Sequence, residues 1–187
     1  MDYRKLFKSC GQNVVIDQNV YIEHPELIDV GDNVHFYPNC FIQGKGGRFV
    51  IANDVDFFPG TYISTGDERS LIEIGHHTHF APYCVLYGWG GLRIGPYCNI
   101  AAHCVFATIG HDPLMRGDKP MAIPPYVAGP ITLVEDVWLG ANVTITANVT
   151  VAKGCIIGAN AVLTKSTEPY GLYVGIPARR VRDRKKS

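Results

Sequence analysis

The chain has no surplus of charge, no long apolar run and no Cys-x-x-Cys pair. Seventeen Lys and Arg balance seventeen Asp and Glu across 187 residues, giving a formal net charge of zero. A nucleic-acid partner calls for a basic face, and none is indicated. No stretch approaches the ~20 apolar residues of a membrane-spanning helix. Met1 to Lys8 lack the apolar segment of a secretory signal, so the expected compartment is the cytoplasm. The six cysteines show no zinc or dithiol spacing. At 47% hydrophobic residues the chain is expected to fold as one domain, residues 1–187, around a substantial core.

What the chain does have is a period of six. From Leu133 to Val162 five blocks follow without a break, among them Leu139-Gly-Ala-Asn-Val-Thr and Ile157-Gly-Ala-Asn-Ala-Val. The same frame runs upstream from Ile16, Val30, Phe36, Ile51, Phe57, Ile74, Phe80, Ile94 and Ile100, making fourteen blocks with an apolar first residue. Four places on stands a small residue, such as Val34, Cys40, Thr61 or Ala161. One place before that, ten of fourteen residues are Asn, Asp or Gly, types that tolerate the left-handed conformation of a tight corner. So short a period predicts a solenoid of very short strands, a parallel β-helix with three six-residue sides per coil. The coils are expected over about 14–164.

Cys40, Cys84, Cys98, Cys104 and Cys155 all fall at the small inward position, so they read as compact apolar fillers; Cys10 lies outside the frame. Three segments break the period: Gly44 to Arg48, Gly66 to Ser70, and a long one at about 110–130. The last holds Pro113, Pro120, Pro124, Pro125 and Pro130, too many for a helix or a central strand, and reads as a structureless protruding loop. Insertions of this length are commonly functional. Beyond Thr164 comes a short tail, 165–187, holding seven of the seventeen basic residues and two acids.

The repeats, His111 at the mouth of the loop, the Val137-Trp-Leu-Gly-Ala block, Ala159, Thr164-Lys165 and Gly175-Ile-Pro-Ala-Arg together resemble the left-handed β-helix, hexapeptide-repeat acetyltransferases. The likeness is greatest to galactoside and maltose acetyltransferases and to O-acetyltransferases of bacterial polysaccharide synthesis. Repeats that begin by Ile16 favour the polysaccharide branch, since the galactoside and maltose enzymes carry a longer segment before their coils. The resemblance implies left-handed crossovers, against the usual rule, and a homotrimer with active sites between subunits. It also implies acetyl-CoA as cosubstrate and no metal.

Acyl transfer to a hydroxyl needs a base, and a histidine near neutral pKa suits that role. The resemblance places His111 there. It assigns the oxyanion donor to the position of Ala141, which offers only its backbone N–H. The pantetheine arm would lie along the prism edge at Ala141 and Ala159, with Thr164, Lys165, Arg179 and Arg182 at the family's coenzyme positions. The family's polar acceptor contact, commonly Asn, is Ala81 here. Nearby stand Tyr83, Tyr87, Trp89 and His103, whose rings suit either a sugar or a stabilised outer wall. Trp138 reads as a corner cap or a cover for the coenzyme. The expected function is O-acetylation of a sugar or saccharide hydroxyl. The alternatives are N-acetylation of an amino sugar or nucleotide sugar, and a non-catalytic scaffold. A hydrolyase resembling the γ-class carbonic anhydrases would require three converging histidines, for which His79, His103 and His111 are the candidates.

Overall fold

The computed structural model describes residues 3–112, Pro120, Ile123 and residues 126–184. Pro113, Pro124 and Pro125 of the loop, and Lys185 and Lys186 of the tail, lie outside the described residues.

Three parallel sheets form the walls of a triangular prism of seven turns. The first wall stacks Ser9–Cys10, Ile28–Val30, Arg48–Ile51, Leu71–Ile74, Leu92–Ile94, Ile131–Leu133 and Val149–Val151. The second stacks Val15–Ile16, His35–Phe36, Asp56–Phe57, His79–Phe80, Asn99–Ile100, Trp138–Leu139, Ile156–Ile157 and Gly171–Val174, closed by the antiparallel Arg179–Asp183. The third stacks Tyr21–Ile22, Phe41–Lys45, Tyr62–Asp67, Val85–Tyr87, Val105–Ala107, Thr144–Thr146 and Val162–Leu163. Each strand pairs with its counterpart one turn away, as in Ile74 with Ile94 and Ile94 with Leu133.

The six-residue frame is the packing frame. Ile16 and Val20, at the open end, are partly buried; every other residue at its two inward positions is buried. Large rings stack along the axis: Phe57 lies 5.2 Å from Phe36 and 5.1 Å from Phe80, all within 8° of parallel. Such pairs add ~0.5–1.5 kcal/mol beyond the apolar area they bury. The inward thiols sit against backbone carbonyls of the next coil, Cys40 Sγ 3.2 Å from Phe57 O and Cys104 Sγ 3.2 Å from Gly140 O.

Corners occupy the left-handed region. The first corner, between first and second walls, holds Asn13, Asn33, Asp54, His77, Tyr97, Asp136 and Gly154; the second corner holds Asn19, Asn39, Gly60, Tyr83, His103, Asn142 and Asn160. A non-glycine residue pays roughly 1–2 kcal/mol for that conformation. Contacts between coils offset it: Asn33 donates to Asp54 at 2.9 Å and Asn142 to Asn160 at 2.9 Å. The His and Tyr rings meet in pairs between coils, Tyr83 stacked on His103 at 5.4 Å and His77 tilted against Tyr97 at 5.1 Å.

Four details differ from the sequence reading. The coils begin at Ser9, earlier than 14, and Cys10 belongs to them, paired with Val30 at the open end. The long insertion is not structureless: Ile109–His111 and Tyr126–Ala128 pair as an antiparallel hairpin. A fourth excursion, Gly88 to Gly91, stacks with those at 44–48 and 66–70, all of them at the third corner. Finally, Trp138 stands on the second wall rather than at a corner, its outward side chain 51% exposed beside Asn99 and Ile156.

Candidate active site

The prism sorts the candidate residues onto two edges. His111 ends the hairpin's first strand, directly across from Tyr126. Both are exposed, and their ring centroids lie 4.8 Å apart, tilted 51°. Tyr126 thus limits where the imidazole can turn, a partner invisible to sequence reasoning because Pro124 and Pro125 precede it. Tyr87 and Trp89 sit at the same corner, just below the hairpin: Thr108 donates to Tyr87 O at 2.7 Å, and the Trp89 indole N–H donates to Ser64 at 3.0 Å.

Tyr83 and His103 occupy the second corner, stacked at 5.4 Å. Ala141 and Ala159 continue that edge, both exposed. The coils approach closely here, for a Cβ on Gly140 would lie 2.6 Å from Ala159 N. The Ala141 carbonyl accepts from Asn160 N at 2.9 Å. The result is a smooth edge of small residues, a shape that admits a thin chain.

The cations divide as well. Lys165 and Arg179 line one depression with Leu163, Ser166, Tyr173, Ala178 and Arg180. Arg180 is held by Asp183 at 2.6 Å, so Lys165 and Arg179 are the cations in that depression without an ion pair among the described residues. Thr164 is exposed just before Lys165. Arg182 does not join them: it lines a separate depression with Ile156 and Leu172.

His79 stands on the second wall, paired with Asp56 at 2.8 Å, apart from both His103 and His111. Among the described residues no three His, Cys, Asp or Glu side chains form a metal-binding group. Nor is any helix among them long and apolar enough to cross a membrane.

The two edges flank a single wall, and its surface is distinctive. The outward column of the third wall reads Tyr21, Phe41, Tyr62, Val85, Val105, Thr144, Val162, without a charge. Tyr21 and Phe41 stack at 4.7 Å and are 45% and 39% exposed. The first wall instead carries charges paired across coils, such as Arg93 with Glu73 and Arg48 with Asp29.

Residues 130–165 match the family described as Bacterial transferase hexapeptide (six repeats). A probable macrolide acetyltransferase of Lysinibacillus sphaericus is 45% identical over 56 residues, covering 30% of this chain and 31% of that protein. A chloramphenicol acetyltransferase of Agrobacterium fabrum is 32% identical over 108 residues, 50% of this chain and 52% of that protein. The chain thus spans about half or less of the length of these curated relatives. Among solved structures, the N-acyltransferase AntD of Bacillus cereus, in complex with dTDP and 3-hydroxybutyryl-CoA, superposes with a TM-score of 0.68 at 25% identity, over 97% of this chain and 86% of that one. In repeat and in fold the chain is a left-handed β-helix of the hexapeptide-repeat kind, and it resembles the acetyltransferases built on that helix.

Proposed function

We propose that this chain is an acyltransferase that moves an acetyl group from acetyl-CoA to a hydroxyl of a sugar or saccharide, at sites shared between the subunits of a homotrimer. One observation carries the reading. The hairpin edge, with His111, Tyr87 and Trp89, and the smooth edge, with Tyr83, His103, Ala141 and Ala159, are different edges of one prism, on either side of the uncharged column of its third wall. A single chain keeps the two sets apart. Three chains turned about an axis parallel to the prism, with third walls inward, bring the hairpin edge of one against the smooth edge of the next at the same coil level. Burial of Tyr21, Phe41, Tyr62, Val85 and Val105 supplies an apolar driving force for that packing.

In the resulting groove, acetyl-CoA lies along Ala141 and Ala159, with Lys165, Arg179 and, from the second wall, Arg182 as candidates for its phosphates. The acceptor rests against Tyr83 and His103 of one chain and Tyr87 and Trp89 of the other. His111 takes the proton from the acceptor hydroxyl as that oxygen attacks the thioester carbonyl. The Ala141 N–H donates to the tetrahedral oxyanion. The C–S bond then breaks, the acetyl ester remains on the acceptor, and the thiolate leaves with the proton His111 had taken. Acetyl-CoA as donor accords with the cytoplasmic compartment expected from the sequence.

Likeness to AntD supports a second reading, N-acylation of an amino group on a sugar. A panel of hydroxyl and amino sugars, free and nucleotide-linked, with thiol release followed, separates the two. The test of the base is His111→Ala. Turnover is expected to fall at least about a hundredfold, the scale of positioned proton transfer, with acetyl-CoA binding nearly unchanged. A variant keeping more than a tenth of the activity removes His111 from the role.

A further inference from the structure

The hairpin that carries His111 is tied to the solenoid at its base. Thr108 stands immediately before the hairpin's first strand and is completely buried. Its hydroxyl donates to Tyr87 O at 2.7 Å and accepts from Gly90 N at 3.2 Å. Its carbonyl accepts from Gly129 N at 2.9 Å, closing the hairpin just beyond its second strand. One residue therefore joins both hairpin strands to the turn of the preceding coil.

That turn is itself braced. The Trp89 indole N–H donates to Ser64 at 3.0 Å, and Ser70 Oγ donates to Trp89 O at 3.3 Å. Ser64 and Ser70 are 4% exposed. The contact between turn and hairpin admits no side chain on Gly90, since a Cβ there would lie 2.4 Å from Gly129 O and 2.6 Å from Thr108 O. A chain of partly buried polar contacts thus runs from Ser64 through Trp89, Gly90 and Thr108 to the hairpin. Valine has nearly the shape of threonine but lacks the hydroxyl. It would leave the Tyr87 carbonyl and the Gly90 N–H, both partly buried, without this partner.

We propose that Thr108 is a positioning residue whose hydroxyl fixes the direction in which the hairpin presents His111. The proposal rests on the acetyl-transfer reading, in which His111 must meet a groove completed by another chain. A misplacement of about 1 Å in such a geometry costs on the order of 100-fold in rate.

The experiment compares wild type, Thr108→Val, Thr108→Ser and His111→Ala in acetyl-transfer kinetics and in amide hydrogen exchange. Thr108→Val is expected to lower kcat at least about tenfold with KM for acetyl-CoA within about twofold, and Thr108→Ser to recover most of the loss. Exchange is expected to quicken at Ile109 to His111 and Tyr126 to Ala128 while Val105 and Phe106 stay protected. A valine variant with wild-type kcat, a loss confined to KM, or failure of serine to rescue overturns the proposal. If the valine variant does not fold, exchange in the wild type decides. Gly90 and Gly129 amides as protected as Val105 support the tie, and amides exchanging like free chain overturn it. Should His111→Ala keep full activity while the hairpin stays protected, the acetyl-transfer role of His111 has failed and the tie has not.

Discussion

Tyr83 and His103 stack nearly face to face on the second corner, 5.4 Å apart and 11° from parallel. Both adopt the left-handed conformation that the other residues of that corner, all Asn or Gly, reach at lower cost. Aromatic faces in costly backbone positions, on the edge proposed for the coenzyme, suit an acceptor ring. Tyr83→Asn restores the residue type the corner prefers, so the solenoid is expected to keep its melting temperature. The acceptor KM is expected to rise roughly tenfold, the loss of ~1.4 kcal/mol, with acetyl-CoA affinity unchanged. Steady-state kinetics in both substrates checks this, and an unchanged acceptor KM removes Tyr83 from the acceptor site.

Lys165 and Arg179 face one depression and lack ion pairs among the described residues. The double variant Lys165→Glu, Arg179→Glu is expected to weaken acetyl-CoA binding by about tenfold or more through charge reversal. Raising salt should weaken the wild type in the same direction, since exposed charges are screened over ~10 Å at 0.1 M. Calorimetric titration across ionic strengths measures both. Because Arg182 lines a different depression, Arg182→Glu alone is expected to have the smaller effect.

The cysteines give a pH signature. Burial pushes the Cys40 and Cys98 thiols up to about 11. A raised folded pKa holds the proton more tightly in the native state. Its stabilisation is full below the unfolded value, roughly 8.5, and is lost as pH climbs through about 11. Thermal melts between pH 8 and 11 should therefore fall. The double variant Cys40→Thr, Cys98→Thr should flatten the slope, since Thr61 and Thr78 already fill that inward position. A thiol reagent should modify exposed Cys10 quickly and the five buried cysteines only on unfolding. Equal pH slopes in variant and wild type would contradict the account.

The solenoid was legible because its period couples chemistry to place. Once Phe57 and Cys104 fall in the six-residue frame, their burial follows from which side of the wall they occupy. Less legible was anything decided between coils. Nothing in the sequence marks Tyr126 as the partner of His111, because a three-residue strand after two prolines carries no periodic signal. Thr108 reads as an ordinary strand residue until its hydroxyl is seen beneath the Gly90 turn. The separation of Tyr87 and Trp89 from Tyr83 and His103 was equally hidden: four residues apart in sequence, Tyr83 and Tyr87 stand at opposite sides of one wall. The proposal of a site shared between chains rests on that separation.

The shared site can be tested by mixing two inactive chains. His111→Ala removes the base from the hairpin edge, and Ala159→Trp blocks the smooth edge of its own chain. Each homotrimer is expected to be inactive. Co-refolded in equal amounts, the two chains form sites in which an intact hairpin meets an intact edge from its neighbour. Random assembly makes these about a quarter of all sites, so about a quarter of wild-type activity should return. No recovery from mixed trimers of confirmed composition would place the hairpin and the edge of one chain in the same site and contradict the account.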